Sequence, residues 1–207
     1  MAQMGRPRSF DRDAAVQQAM HLFWEHGYAS TSLAMLKERI GIGAPSFYAA
    51  FGSKEALFGE VVERYAATHG QVHDCLWDDA LAPRAAVEQA LRASARMQTG
   101  RGHPRGCLLV LSAGACAPEH APVQALLAHR RARTREGFER CVRRAVAAGG
   151  LPDGTDAPAF AALFHSFLFG LSVQARDGVP GRVLDAAVTE VMRHWDAHAA
   201  AVQPGAS

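Results

Sequence analysis

Charge imbalance is the first thing this chain lacks. Lys and Arg number 22 against 20 Asp and Glu, a formal net charge of +2. No global cationic field draws such a molecule to nucleic acid, so any such affinity must come from a local patch. Cysteines are few and unclustered: Cys75, Cys107, Cys116 and Cys141 show no CxxC spacing and no short secreted context. They read as reduced thiols. No apolar run approaches the roughly 18–20 residues that span a bilayer, so no membrane partner is expected. The opening Gly-Arg-Pro-Arg is followed by charge, which predicts no secretion signal and a cytoplasmic protein. Catalytic signatures are missing too. There is no Gly-x-Ser-x-Gly, no phosphate-binding Gly-Lys-Ser/Thr loop and no dinucleotide glycine pattern after a strand, and no cofactor is predicted. No alternating β pattern of useful length and no internal repeat appears. What remains is helical periodicity with Gly and Pro punctuation, an all-α chain.

The densest information lies in residues 31–59, TSLAMLKERIGIGAPSFYAAFGSKEALFG. Leu33, Leu36 and Ile40 fall at i, i+3, i+7 of a short helix. Thr31 stands just before it, where a hydroxyl can cap free amides. Gly41 ends it. After Gly41-Ile42-Gly43 a two-turn helix runs from Ala44 to Phe51, with Pro45 in its first turn, where a missing N–H does no harm. Two helices joined by a three-residue Gly turn are the sequence form of a helix-turn-helix. Phe47 and Phe51 anchor one face of the second helix, and the rest is small: Ala44, Ser46, Ala49 and Ala50. A helix that presses into a major groove needs small or hydrogen-bonding residues near its N-terminus. Ala44, Pro45 and Ser46 are therefore expected to face bases, with Thr31 added to the contact set and Tyr48 and Lys54 on phosphates. A plain helical corner is the bland alternative. An N-terminal arm carries Arg6, Arg8 and Arg12 against Asp11 alone, and Arg6 and Arg8 can reach a minor groove. A frayed terminus is the alternative there.

These residues carry a resemblance. From about Gly5 to Leu57, through GRPR, AMHLFWEHGYASTS and GIGAPSFYAAFGSKEALF, the chain resembles the DNA-binding domain of TetR-family transcriptional regulators. Two positions depart from the family pattern. Gly43 stands where Ser or Thr often caps the recognition helix, and Ala49 where His or a larger polar residue is common. The resemblance implies a three-helix helix-turn-helix domain over residues 1–54 and a helical effector-binding and dimerisation domain over 55–207, about nine helices in all. It implies a repressor of double-stranded operator DNA, released by a small-molecule effector, with the helix opening on Ser53 as transmitter.

The remaining pattern fits further helices. One runs from about Asp11 to His26, with Ala15, Ala19, Leu22, Phe23 and His26 as its inner stripe. The helix from Ser53 runs to about His69, and Pro83 opens another that lasts to about Thr99. A short apolar helix spans Cys107 to about Ala115, and a long one follows Pro122 to Gly149-Gly150. The last two run from about Ala159 to Arg176 and from Arg182 to His198. The first of these two is apolar nearly all round. Ala162, Ser166 and Gly170, four apart, let another helix come close, and Leu184, Val188, Val191 and Trp195 form a stripe on its successor. In the resembled family the last two helices pair across a two-fold axis, so these seven are the expected homodimer interface. An ordinary monomer core is the alternative.

Effector candidates are Trp77, Met97, Cys107, Leu108, Leu111, Phe164 and Phe167, and each can equally be plain core. They imply a small apolar effector. Cys107 follows Pro-Arg-Gly and opens a helix, where a nearby Arg and the helix terminus would favour a thiolate. The Gly-Cys-Leu motif resembles a subgroup in which some regulators respond to electrophiles, so redox sensing through Cys107 is an alternative. His69 and His73, and His194 and His198, are each four apart, but neither pair has the further ligands a zinc site wants, so no metal is expected. The arginines from Arg130 to Arg143 read as a solvated face with Glu136 and Glu139. An enzyme on a helical fold is the rival class.

Overall fold

The structure, a computed structural model, describes residues 10–112 and 118–201. Those residues are helical, with no strand among them. Asp11 caps the first helix, its carboxylate accepting from the Ala14 amide at 3.0 Å. α1 then runs Arg12–Ser30, broken at Gly27. Ala15, Ala19 and Phe23 are buried as the periodicity requires, and so are Val16, Met20 and Trp24. His26 lies outside this stripe: it is exposed at the end of the straight part of the helix.

α2 (Leu33–Ile40) and α3 (Ala44–Phe51) are joined by a tight turn. Gly41 makes that turn at φ 77°, ψ 32°, a left-handed conformation that side-chain-bearing residues avoid. α4 (Lys54–Ala66) opens on Ser53, whose hydroxyl accepts from Ala56 N at 3.0 Å. These four helices close around Phe23, Leu36, Phe47, Phe58 and Tyr65, all buried. Cys107, Leu108, Val123 and Leu127 belong to the same apolar cluster. The expected extension of α4 to His69 stops short: a 3₁₀ segment, His69–Trp77, follows and turns the chain across the molecule.

A second core is built from α5 (Pro83–Thr99), α7 (Ala121–Ala147), α8 (Ala157–Arg176) and α9 (Gly181–Ala200). α5 packs on the 3₁₀ segment, α7, α8 and α9. Phe138, Phe164, Leu171, Leu184, Val188 and Trp195 fill the space between them. Ion pairs run along the rim, Arg84 to Asp196 at 2.5 Å and Arg92 to Asp185 at 2.8 Å. By length and mean hydropathy alone (1.3) α8 could cross a bilayer. Here it packs against α5, α7 and α9 instead.

α6 (Leu108–Leu111) is a single turn wedged between α1, α7 and α8. It is held by Gly106 at φ 85°. A Cβ there would stand 2.4 Å from Leu111 Cδ1 and 2.8 Å from the Ser172 carbonyl oxygen. The chain can pass between α6 and α8 at that point only without a side chain.

Candidate nucleic-acid interface and buried cavity

α3 meets solvent with the face the sequence assigns to bases. Phe47 and Phe51 are buried, while Pro45, Ser46, Tyr48 and Ala49 are exposed and Ala44 is half-buried. Tyr48 is 53% exposed, large for an aromatic that no partner covers. Gly43, at the N-cap, supplies no side-chain cap bond, so the first amides of α3 stay free for another acceptor. Lys54 starts α4 beside this face, its Nζ 4.3 Å from the Tyr28 ring centroid.

Thr31 is not part of this surface. It is fully buried and its hydroxyl donates to the Gly27 carbonyl at 2.7 Å. The cap of α2 is Ser32, whose hydroxyl accepts from Met35 N at 3.2 Å. The two residues exchange roles because the chain bends at Gly27 and turns Thr31 inward. Arg6 and Arg8 lie outside the described residues. Arg12 is committed elsewhere, paired with Glu60 at 2.6 Å and set over the Phe51 ring.

A buried cavity opens between the 3₁₀ segment, α5, α6, α7 and α8. It has two adjacent chambers, of about 80 Å³ and about 20 Å³, whose walls share His73, Cys107, Leu109 and Thr134. Of the seven sequence candidates for an effector site, Trp77 and Cys107 line it. The rest do not. Phe164 is fully buried against Phe160 and Trp195, and Phe167 packs on the same core. Leu108 and Met97 belong to the other core, and Leu111 presses on Gly106. The apolar side chains are consumed by packing on one another. The cavity wall that remains mixes apolar side chains, Leu109, Val110, Leu168 and Phe169, with polar ones, His73, Gln98, Arg131, Thr134 and His165. The sequence does carry a trace of this, since Ser94 and Gln98 interrupt the buried stripe Ala86, Val87, Ala90, Leu91, Ala95 of α5.

The thiolate argument for Cys107 fails on the geometry. The helix it opens is four residues long, too short for a useful dipole. Arg105 is turned away, donating to the Val179 carbonyl at 2.9 Å. Burial pushes the Cys107 thiol up, against a smaller opposing effect of the Tyr65 hydroxyl, which donates to Sγ at 3.3 Å. Cys107 is a neutral wall of the cavity, and Cys116 lies outside the described residues. Burial also holds His73 and His165 neutral, each with its pKa lowered to about 4. His73 shares a hydrogen bond of 2.9 Å with the Ser94 hydroxyl, and its sequence neighbour His69 packs on Trp24 and Tyr65. His194 stacks on Phe160, and His198 meets the Thr155 hydroxyl at 3.0 Å.

The cavity is tied to the helix-turn-helix unit by short polar links. Trp24 Nε1 donates to the Gly106 carbonyl at 3.1 Å, next to Cys107. Ser112 Oγ donates to the Phe23 carbonyl at 3.3 Å. Arg176, at the end of α8, donates to three carbonyls: Trp24 at 2.7 Å, Glu25 at 2.9 Å and Arg105 at 2.8 Å.

The proposed dimer face needs redrawing. Leu184, Val188 and Trp195 are 0–2% exposed inside the subunit's own core, so they have no surface left for a partner. Val191 is half-buried against that core. Ala162 and Ser166 are exposed and Gly170 half-exposed on α8. Beside them lie Leu163, Val173 and, on α9, Val183, which are 39%, 50% and 44% exposed.

Comparison with known proteins points the same way as this geometry. The family model described as bacterial regulatory proteins, tetR family, matches residues 15–61, and the tetracyclin repressor-like C-terminal domain matches residues 83–188. The chain is 32% identical over 192 residues to the HTH-type transcriptional repressor ComR of Escherichia coli (strain K12), covering 92% of this chain and 91% of that one. It is 37% identical over 107 residues to the HTH-type transcriptional repressor BdcR of the same organism, 51% of this chain and 54% of that one. Among solved structures it is similar to a cysteine mutant of the TetR family transcriptional regulator CifR complexed with 26-bp double-strand operator DNA. The TM-score is 0.84 at 44% identity, over 92% of this chain and 100% of that one.

Proposed function

This chain belongs to the TetR family of bacterial regulators, and we propose that it is a dimeric repressor that lets go of its operator when a small molecule enters the buried cavity. The observation that carries the reading is the α3 surface. A two-turn helix is pinned by Phe47 and Phe51 and shows solvent only Pro45, Ser46, Tyr48 and small alanines. Such a surface fits a major groove and has no other evident use. Ala44, Pro45 and Ser46 face bases; Tyr48 and Lys54 take phosphates. Arg6 and Arg8 reach the minor groove from the arm. One helix of this length contacts too few base pairs for useful selectivity, so two are needed, about 34–36 Å apart on a palindrome.

Release follows from the links already described. A ligand in the cavity pushes on α6 and on the Leu168–Ser172 turn of α8. Both are bonded to the end of α1, through Gly106 and through Arg176. α4 runs beside α1, tied by Arg12–Glu60 and Arg64–Asp13. The two helices move together and carry α3 with them. The resemblance makes α4 the transmitter; these bonds add α1. A repressor of this kind works in the cytoplasm.

The test is a mobility shift with DNA from upstream of the chain's own gene. A discrete complex, competed by a palindromic segment and not by shuffled DNA, is expected. Binding that ignores sequence, or none at low salt, would overturn the reading.

A further inference from the structure

The cavity is the effector site of the reading above, and the inference here rests on that reading and names the ligand's chemistry. Its wall holds two acceptors that no donor meets. Gln98 is 1% exposed and its Oε1 has no partner. His165 Nε2 is also buried without a partner; with the ring proton on Nδ1, toward the Arg131 carbonyl, it is an acceptor. A buried acceptor left unmet is a cost that a bound donor removes. Protonation does not relieve His165 at neutral pH, because burial and then Arg135 hold its pKa near about 4.

Arg131 is the second unusual group. Its guanidinium is half-buried and donates to the Leu109 carbonyl at 2.8 Å. Among the described residues no carboxylate pairs with it: burial lowers its pKa and only Cys107 opposes that. Arg130 and Arg133 also line the larger chamber, against Asp74 as the one acid among its lining residues. A cation is unwelcome there. A plain hydrocarbon would leave both acceptors unmet and the arginine uncompensated. A single water fits the smaller chamber, since one probe sphere takes about 10–15 Å³. The larger chamber, across the shared His73, Cys107, Leu109 and Thr134, holds several heavy atoms.

We propose that this cavity binds a small hydroxy acid, with its hydroxyl donating to Gln98 Oε1 or His165 Nε2 and its carboxylate against Arg131. Only the polar end of the ligand reaches the smaller chamber; the carbon skeleton lies in the larger one, against Tyr65, Trp77 and Leu109. The corresponding alcohol lacks the charge that Arg131 awaits. The corresponding acid lacks the proton that the two acceptors await.

The experiment compares ring-matched probes on the wild-type protein: the three hydroxybenzoate isomers, benzoate and phenol. Binding is measured by calorimetry and thermal shift, and operator release by fluorescence anisotropy. At least one hydroxybenzoate should bind at least about tenfold more tightly than both benzoate and phenol and release the operator. Arg131→Gln should erase its advantage over phenol, and Gln98→Leu with His165→Phe its advantage over benzoate. A hydroxybenzoate no tighter than benzoate, a phenol as tight as the acids, or no binding at millimolar probe would each overturn the proposal. The wild-type comparison decides the matter even where a variant fails to fold. Operator binding without ligand is read in the same cuvette. Its absence would sink the regulator reading, whereas its presence with an indifferent probe panel sinks only the ligand class.

Discussion

Single residues decide how the two interfaces behave. Lys54 is the first residue of α4 and lies beside the exposed edge of α3, where its ammonium can meet a phosphate. Lys54→Ala should weaken operator and random DNA alike and lower the salt slope by about one unit. Titrations at several salt concentrations check this, and an unchanged slope would move the phosphate elsewhere. The buried histidines make a separate prediction about stability. His73 and His165 titrate near about 4 in the folded chain, against an ordinary 6.5. Between those values the unfolded chain binds more protons than the folded one, so stability falls as pH falls from 6.5 toward 4. Asp79, Glu88 and Asp196 are held below their usual range by Arg140, Arg92 and Arg84. Their loss comes at lower pH and leaves the window from 7 to 5 to the histidines, including His21 and His69, whose pKa values burial also lowers. The Tm should drop by at least about 2–4 °C across it, the equivalent of about 1 kcal/mol for a chain of this size. A flat Tm from pH 7 to 5 would show that neither ring is buried neutral. None of this was legible beforehand, since nothing local in the sequence says that His73 and His165 share one cavity.

Elements were more legible than the contacts between them. Gly41, Gly52, Pro83 and Gly149 mark real ends, because a left-handed turn or a missing amide acts within a few residues whatever the rest of the fold does. The helix-turn-helix came through for the same reason. The 3₁₀ segment His69–Trp77 did not: its residues lack a strong stop, and it is tertiary packing under α5 and α7 that tightens it. Five of the seven effector candidates lie away from the cavity on similar grounds. Phe164 and Leu108 looked like pocket lining because they are large and apolar, and that is also why the cores took them. Arg176 was invisible as anything but the last basic residue of α8. In three dimensions it collects the carbonyls of Trp24, Glu25 and Arg105, so it joins α8 to α1. Arg176→Met should leave those carbonyls unpaired and loosen the end of α1. Hydrogen exchange at the amides of residues 24–30 should speed up by about tenfold or more, matching a loss near 1.4 kcal/mol. Amides of α9 should not change. Equal acceleration in both would mean general destabilisation rather than a broken link.

For the whole molecule the question is how one subunit's outer face becomes the middle of a dimer. α8 and α9 expose Leu163, Val173 and Val183. Among the described residues these are three of five exposed large hydrophobics; the others are Phe10 and Tyr48. The α9 stripe expected from the sequence is spent inside the subunit, because Leu184, Val188 and Trp195 have the regular spacing of any buried face. Periodicity tells which residues are buried and not against what. Small residues continue the exposed strip on α8 at Ala162 and Ser166, with Gly170 between Ser166 and Val173. Two copies meeting here along a two-fold axis would hide an apolar strip otherwise left to water, at about 25 cal/mol per Å². A double substitution, Leu163→Glu with Val173→Glu, should therefore split the dimer without unfolding the subunit. Its operator affinity should fall by at least about a hundredfold, since each half-site then binds alone. Gly170→Leu is a finer probe. A Cβ at Gly170 meets nothing within 4 Å in its own subunit, so crowding felt on substitution comes from the partner. Sedimentation velocity across a range of concentrations, run beside circular dichroism, separates the outcomes. Folded monomers from both variants are expected. Variants that stay dimeric with wild-type operator affinity would place the two-fold axis on some other face of the molecule.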